Sequence, residues 1–191
     1  MKPVYVEKDK TLEYFIFGLN ESNIENLEEY TIKGISEIGE RAFHAPWNVK
    51  RVFFDENLAK IKKEAFKDAD ELEVFCCAEK GEENFLKGLK LNKLPKGKEF
   101  SVETLAFSGC VNLHTVIFPV ISSDSKIIIE KDAFSACESL RTVVLVSEEK
   151  SKIEFTENPF ADCPEYLTFV CKKGSAVEKF ARENGYRIEN V

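Results

Sequence analysis

Between Ile35 and Cys171 the chain repeats one arrangement of apolar and polar positions five times. It is plainest from Ile129 to Leu145, IEKDAFSACESLRTVVL. With the phenylalanine of the Ala-Phe pair as position zero, the zero positions are Phe43, Phe66, Phe107, Phe134 and Phe160, at intervals of 23, 41, 27 and 26 residues. Five residues earlier stand Ile38, Ile61, Val102, Ile129 and Phe155, and directly before zero stand Ala42, Ala65, Ala106, Ala133 and Pro159. Plus three holds Pro46, Ala69, Cys110, Cys137 and Cys163. Plus six holds Val49, Leu72, Leu113, Leu140 and Tyr166, with Leu167 the better inward residue of the last unit. Plus nine holds Val52, Phe75, Val116, Val143 and Phe169, and plus eleven holds Phe54, Cys77, Phe118, Leu145 and Cys171. The last two columns alternate with their neighbours, which is the periodicity of a strand.

One such unit has two open flanks and cannot bury its apolar face alone. Stacking unit on unit turns every column into a continuous ladder inside one elongated core. A repeat of about 20 to 29 residues is the size of a leucine-rich-type coil. The pattern Ile-x-x-x-Ala-Phe-x-x-Cys-x-x-Leu-x-x-Val-x-Phe/Leu resembles the BspA-type leucine-rich repeat over roughly residues 30 to 188, most clearly at 101–118 and 129–145. The first unit departs from it, with Pro46 and Trp47 where the cysteine column begins. The resemblance implies a leucine-rich-repeat-like solenoid: a curved, right-handed β/α superhelix with a parallel sheet on one side, β-rich with short helices, acting by surface recognition. It brings no catalytic residues with it, and it implies a cell-surface or secreted setting.

The whole chain reads as one repeat domain, 1–191. Residues 1–34 lack the full repeat and are expected to cap the first coil, with a strand at Leu12–Phe17 and a short helix opened by Ser22 and Glu25. Coils one and two occupy 35–77, an insert 78–100, and coils three to five 101–171. The insert carries Phe85, Leu86 and Leu89 at helical spacing and either lies across a continuing solenoid or divides two short sub-arrays; continuity is the expectation, since two coils alone are too few to be stable. In the tail, 172–191, Ser175 and Glu178 form a capping box. Val177, Phe180 and Ala181 share one face of the helix, Gly185 stops it, and Tyr186–Ile188 closes as a strand.

Composition narrows the function. Net charge is −7, and the lysines are interspersed with glutamates instead of forming a basic stripe, so nucleic acid is not an expected partner. No run of 18 or more apolar residues is present, so no membrane insertion is expected. Residues 1–11 lack the apolar core and cleavage site of a signal peptide; taken alone this reads as cytoplasmic, against the setting the resemblance implies, and localisation stays open. Nothing in the sequence fixes the oligomeric state.

Of the six cysteines, Cys110, Cys137 and Cys163 share plus three and are expected to stack with nearly parallel Cβ vectors, a poor geometry for disulfides. They, with Cys76, Cys77 and Cys171, read as small apolar fillers. His44 and His114 fall at different phases of different coils and do not converge. Metal-ligand spacings, phosphate-binding glycine loops and hydrolase motifs are missing, so neither catalysis nor a cofactor is expected. The scattered carboxylates read as solubilising charge.

What remains is the outward face of the strands. Its plus-ten column, Phe53, Cys76, Ile117, Val144 and Val170, is apolar in all five coils. Arg51, Val74, Thr115, Thr142 and Thr168 border it on one side, and Asp55, Ala78, Pro119, Val146 and Lys172 on the other. A solvated strand face is ordinarily polar, and a contiguous apolar stripe on a soluble protein marks a partner surface. The expectation is a protein-binding face centred on Phe53, Cys76, Ile117, Val144 and Val170, with Arg51, Thr115 and Thr142 at its margin. Strand propensity alone, or the insert folding over the stripe, explains the same residues. A structural spacer of a surface assembly is the alternative function; glycan binding is a weaker one, because exposed aromatics are few.

Overall fold

The computed structural model describes residues 4–8, 11–16, 28–43, 49–78, 92–149 and 151–191. In chain order the strands are β1 (Val4–Lys8), β2 (Thr11–Ile16), β3 (Glu29–Ile32), β4 (Glu37–Ile38), β5 (Arg51–Phe54), β6 (Lys60–Ile61), β7 (Val74–Cys76) and β8 (Lys93–Leu94). There follow β9 (Glu99–Val102), β10 (Thr115–Ile117), β11 (Val120–Ile121), β12 (Lys126–Ile129), β13 (Thr142–Val144), β14 (Lys152–Phe155) and β15 (Thr168–Cys171), then helix α1 (Ala176–Glu183) and β16 (Arg187–Asn190). Each coil gives one strand to each of two sheets, ordered β1-β2-β4-β6-β9-β12-β14 and β16-β15-β13-β10-β7-β5-β3. Neighbours run parallel, apart from the antiparallel β1–β2 pair that opens the first sheet.

Coil three stacks directly on coil two: Ile61 pairs with Val102 in the first sheet and Phe75 with Val116 in the second. The return from the insert is tied down separately, as β8 and β11 pair through Leu94 and Ile121. Residues 79–91, with the helix expected at Phe85, Leu86 and Leu89, lie outside the described residues, as do the expected helix at Ser22–Glu25 and the segment holding His44, Pro46 and Trp47.

The five position-zero rings form one stack. Phe43 and Phe66 lie 4.3 Å apart, Phe66 and Phe107 4.8 Å, Phe107 and Phe134 4.8 Å, and Phe134 and Phe160 5.1 Å, with interplanar angles of 18°, 4°, 5° and 8°. Rings of the plus-nine column, Phe75 and Phe169, meet this stack edge-on, the arrangement that aromatic quadrupoles favour. The residue before zero also takes part in the backbone ladder between coils. The N–H groups of Phe43, Phe66, Phe107 and Phe134 donate to the carbonyls of Ala65, Ala106, Ala133 and Pro159 in the next coil at 2.7 to 2.9 Å, so the backbone before position zero ties each coil to the next.

Short helices between the strands do not form among the described residues; the connections are tight turns. Two residues before zero Arg41, Glu64, Leu105 and Asp132 take positive φ, and two after it Asp68, Gly109, Ala136 and Asp162 do the same. A left-handed residue on each side of position zero cannot be carried in an α-helix. The carboxylates outside these turns do more than solubilise: Glu103 accepts from the Lys63 N–H, and Glu130 from the N–H and hydroxyl of Thr104, each bond joining one coil to the next.

The tail forms as its capping signals indicate. Ser175 Oγ accepts from the Glu178 N–H at 3.2 Å, α1 buries Val177 and Ala181, and Gly185 follows the Asn184 C-cap with φ of 76°. Phe180 stacks on Phe155 with ring centres 3.9 Å apart, closing the end of the core, and β16 joins the second sheet beside β15.

Candidate functional site

The outward face of the second sheet has two side-chain rows, aligned by strand register. One runs Glu29, Arg51, Val74, Thr115, Thr142, Thr168, Arg187. The other runs Thr31, Phe53, Cys76, Ile117, Val144, Val170, Glu189. All eight residues expected at a partner surface fall in these two rows, so the sequence placed them together correctly in register.

Their exposure corrects the expectation. Phe53, Cys76 and Ile117 are fully buried, Val170 is 1% exposed and Val144 4%. With Val74, Ala78 and Val146 they form a second apolar cluster, separate from the main core. The stripe is a packed layer and not a solvent-facing one. The physical reason was already in the strands: parallel sheet covered on both faces reads as a continuous apolar run, and Val52-Phe53-Phe54 is such a run.

The other row keeps access to solvent. Arg51, Thr115, Thr142 and Thr168 are half-buried and Arg187 is exposed. Arg51 is tied to Glu29 across the register at 2.6 Å, and Thr115 Oγ1 lies 2.8 Å from His114 Nδ1. Toward the C-terminal end the row opens into a shallow hollow of about 490 Å³ lined by Arg141, Thr142, Tyr166, Thr168 and Arg187. The N–H groups of Arg141 and Thr142 both donate to the His114 carbonyl, at 3.0 and 3.1 Å, which fixes the start of β13. Thr168 Oγ1 donates to the Tyr166 carbonyl at 3.2 Å. Leu167 is buried as expected, which turns Tyr166 outward, 41% exposed.

Arg141, Tyr166 and Arg187 were missed in the sequence. Arg141 stands one residue before the outward row, Tyr166 belongs to the coil where the pattern slips by one, and Arg187 is supplied by the closing strand. Register between β15 and β16 is the observation that brings Arg187 beside Thr168.

A second hollow, about 500 Å³, is lined by residues including Thr31, Asp55, Glu56 and Asn92. Its Asp55 carboxylate is engaged by the Gly34 N–H, the Asn57 N–H and Asn57 Nδ2.

All six cysteines are free; burial pushes Cys77 and Cys110 up, away from the thiolate, and a hydrogen bond with Cys163 together with burial does so for Cys137. Burial also lowers the His114 pKa. Among the described residues no three His, Cys, Asp or Glu side chains are grouped to hold a metal ion, and no helix is long and apolar enough to cross a membrane.

Comparison with known families finds six copies of the BspA type leucine rich repeat region, over residues 10–85 and 81–184. No curated protein matches. Among solved structures, the crystal structure of the pneumococcal vaccine antigen PcpA is similar, with a TM-score of 0.56 and 18% identity over 96% of this chain and 45% of that one. At that identity the likeness is one of fold. The chain spans less than half the length of that neighbour.

Proposed function

The chain belongs to the BspA-type leucine-rich repeat family, and we propose on that premise that it is a non-catalytic module that binds a protein partner through the open row of its second sheet. The observation that carries this reading is the register of Thr115, Thr142 and Thr168 across three adjacent strands, half-open and ending at the exposed Arg187, beside a row that is closed. Solenoids use extended sheet faces of this kind for recognition. Arg51, Thr115 and Thr142 keep their part in this surface; Phe53, Cys76, Ile117, Val144 and Val170 form the closed row beside it. The raised pKa of the buried Cys77, Cys110 and Cys137 thiols supports a role without nucleophilic catalysis by them.

The test is a photo-crosslinking residue at position 142, compared with one at exposed position 154 on the other sheet. A protein crosslinked from 142 and not from 154 is then purified and titrated against the Thr142→Glu variant. At least a ten-fold loss of affinity with an unchanged melting temperature supports the reading; equal affinity rejects this face. A spacer role draws on one observation, that the similar solved chain is more than twice as long, and it predicts no specific crosslink from either position.

A further inference from the structure

The chain has five arginines, and three of them are matched by a carboxylate: Arg41 by Glu64, Arg51 by Glu29 and Arg182 by Glu178. Arg141 and Arg187 stand in no ion pair among the described residues, and both line the same hollow. In a chain of net charge −7, with 34 acidic residues available, two unmatched guanidinium groups at one place are not the arrangement that surface pairing produces elsewhere on the molecule. Glu165 stands next to Tyr166, and Glu189 lies two residues from Arg187 on β16, yet neither is bonded to either arginine.

Resting on the protein-binding reading above, we propose that this hollow is a seat for an acidic peptide segment of the partner, whose carboxylates bridge Arg141 and Arg187 across Thr142 and Thr168. Guanidinium forks match carboxylates in two parallel hydrogen bonds. Arg187 and Thr142 flank Thr168 in register, so two strand spacings, about 10 Å, separate the two ends of the seat. An extended peptide presents residues i and i+2 on one side about 7 Å apart, and the flexible arginine stems close the remainder. Among the described residues the Thr142 hydroxyl makes no bond to another side chain and can donate to the ligand, while the open Tyr166 ring covers the peptide's aliphatic stems. Charges beyond about 8 Å are screened at physiological salt, so the field inside the hollow is set by the groups at its wall, the two lining arginines first and Glu165 and Glu189 at its margin, and not by the net charge of the whole chain. A peptide is favoured over an acidic glycan because a sugar chain would find one aromatic platform here, Tyr166, where extended sugar sites use several.

Fluorescence anisotropy with a labelled octapeptide of alternating Glu and Gly tests this, with its Gln counterpart and an oligogalacturonate as the comparison probes. The acidic peptide is expected to bind the wild-type chain, the Gln peptide at least ten-fold less tightly. R141Q/R187Q is expected to lose at least ten-fold with an unchanged melting temperature, and R141K/R187K, which keeps charge but loses the forks, to fall between. The proposal is overturned if the acidic peptide does not bind, if the double variant binds it equally, or if oligogalacturonate alone binds. A partner that still crosslinks at position 142 and binds R141Q/R187Q with full affinity overturns the carboxylate seat and leaves the protein-binding reading standing.

Discussion

The thiol of Cys137 donates to the carbonyl oxygen of Phe107, one coil earlier, at 3.2 Å. Cys110 does the same to Phe66 at 3.0 Å and Cys163 to Phe134 at 3.1 Å. The plus-three cysteine is thus both a small apolar filler and a donor that ties its coil to the position-zero residue of the preceding one. The Phe107 carbonyl also accepts from the Cys110 N–H, so losing the thiol does not orphan it. Cys137→Ala is therefore expected to cost about 1–2 kcal/mol, a weak hydrogen bond plus a small void, read as a lowered urea midpoint with unchanged slope. A neutral substitution would show that the thiol bond carries no weight.

Phe107 lies between Phe66 and Phe134, its ring nearly parallel to both. Its removal interrupts the stack at the centre of the solenoid, where both neighbours are fixed by further coils and cannot collapse into the gap. Phe107→Ala is expected to cost about 3–5 kcal/mol, and Phe107→Leu, which keeps most of the volume, about 1–2 kcal/mol. Chemical denaturation of the two variants checks the ratio.

How much of this could be read in the sequence depended on whether one coil was enough to reveal it. The phenylalanine, alanine and cysteine columns recur at fixed phase, so the ladder and its axis were legible from Phe43 to Phe160. The backbone bond from Phe43 to the Ala65 carbonyl was not, because it joins residues of two coils. The Phe53–Val170 stripe was placed in the right row and given the wrong environment: an apolar outward column has the same pattern whether a partner or the chain's own fold covers it. Glu103 and Glu130 looked like ordinary surface charge, since their bonds to Lys63 and Thr104 join residues 40 and 26 positions apart. The Arg141–Arg187 hollow exists only once β16 is laid beside β15, and no repeat period foretells a register supplied by the cap.

Val144 and Thr142 separate burial from recognition. They lie two residues apart on β13 and point to the same side, yet Val144 is 4% exposed and Thr142 half-open. A glutamate at 144 would bury an unpaired charge among Ile117, Val170 and their neighbours, so Val144→Glu is expected to cost several kcal/mol or unfold the chain. Thr142→Glu is expected to change stability by less than about 1 kcal/mol. Thermal melts of the pair decide it: a Val144→Glu chain as stable as wild type would mean that the stripe lies open to water after all.

Gly109 is a glycine whose missing side chain matters for packing. Its φ is 76°, and a Cβ built on it would stand 2.4 Å from Asp68 Oδ1 in the neighbouring coil. Gly109→Ala is expected to cost about 1–2 kcal/mol, part from the left-handed backbone and part from displacing the carboxylate. In a double-mutant cycle with Asp68→Ala the steric part should vanish and the backbone part remain. Additive effects would mean the collision is relieved at no cost by rotating Asp68.

Glu148 gives the fold a pH dependence with a defined sign. Its carboxylate accepts from Lys93 Nζ at 2.8 Å and from the Ser123 N–H at 3.1 Å, joining the return from the insert to the loop before β12. Lys93 first, then the Ser123 N–H, lower its pKa to about 2, against about 4.3 for an unperturbed glutamate. A folded-state pKa below the unfolded one means that the unfolded chain takes up the proton more readily as pH falls. The stabilisation is therefore complete above about pH 5 and is lost as pH drops toward 2. Glu148→Gln removes this linkage, so its melting temperature should lie below that of the wild type at pH 7 and the gap should close between pH 5 and 2. A gap that stayed constant over that range would show that the Lys93 and Ser123 contacts do not hold the carboxylate charged in solution.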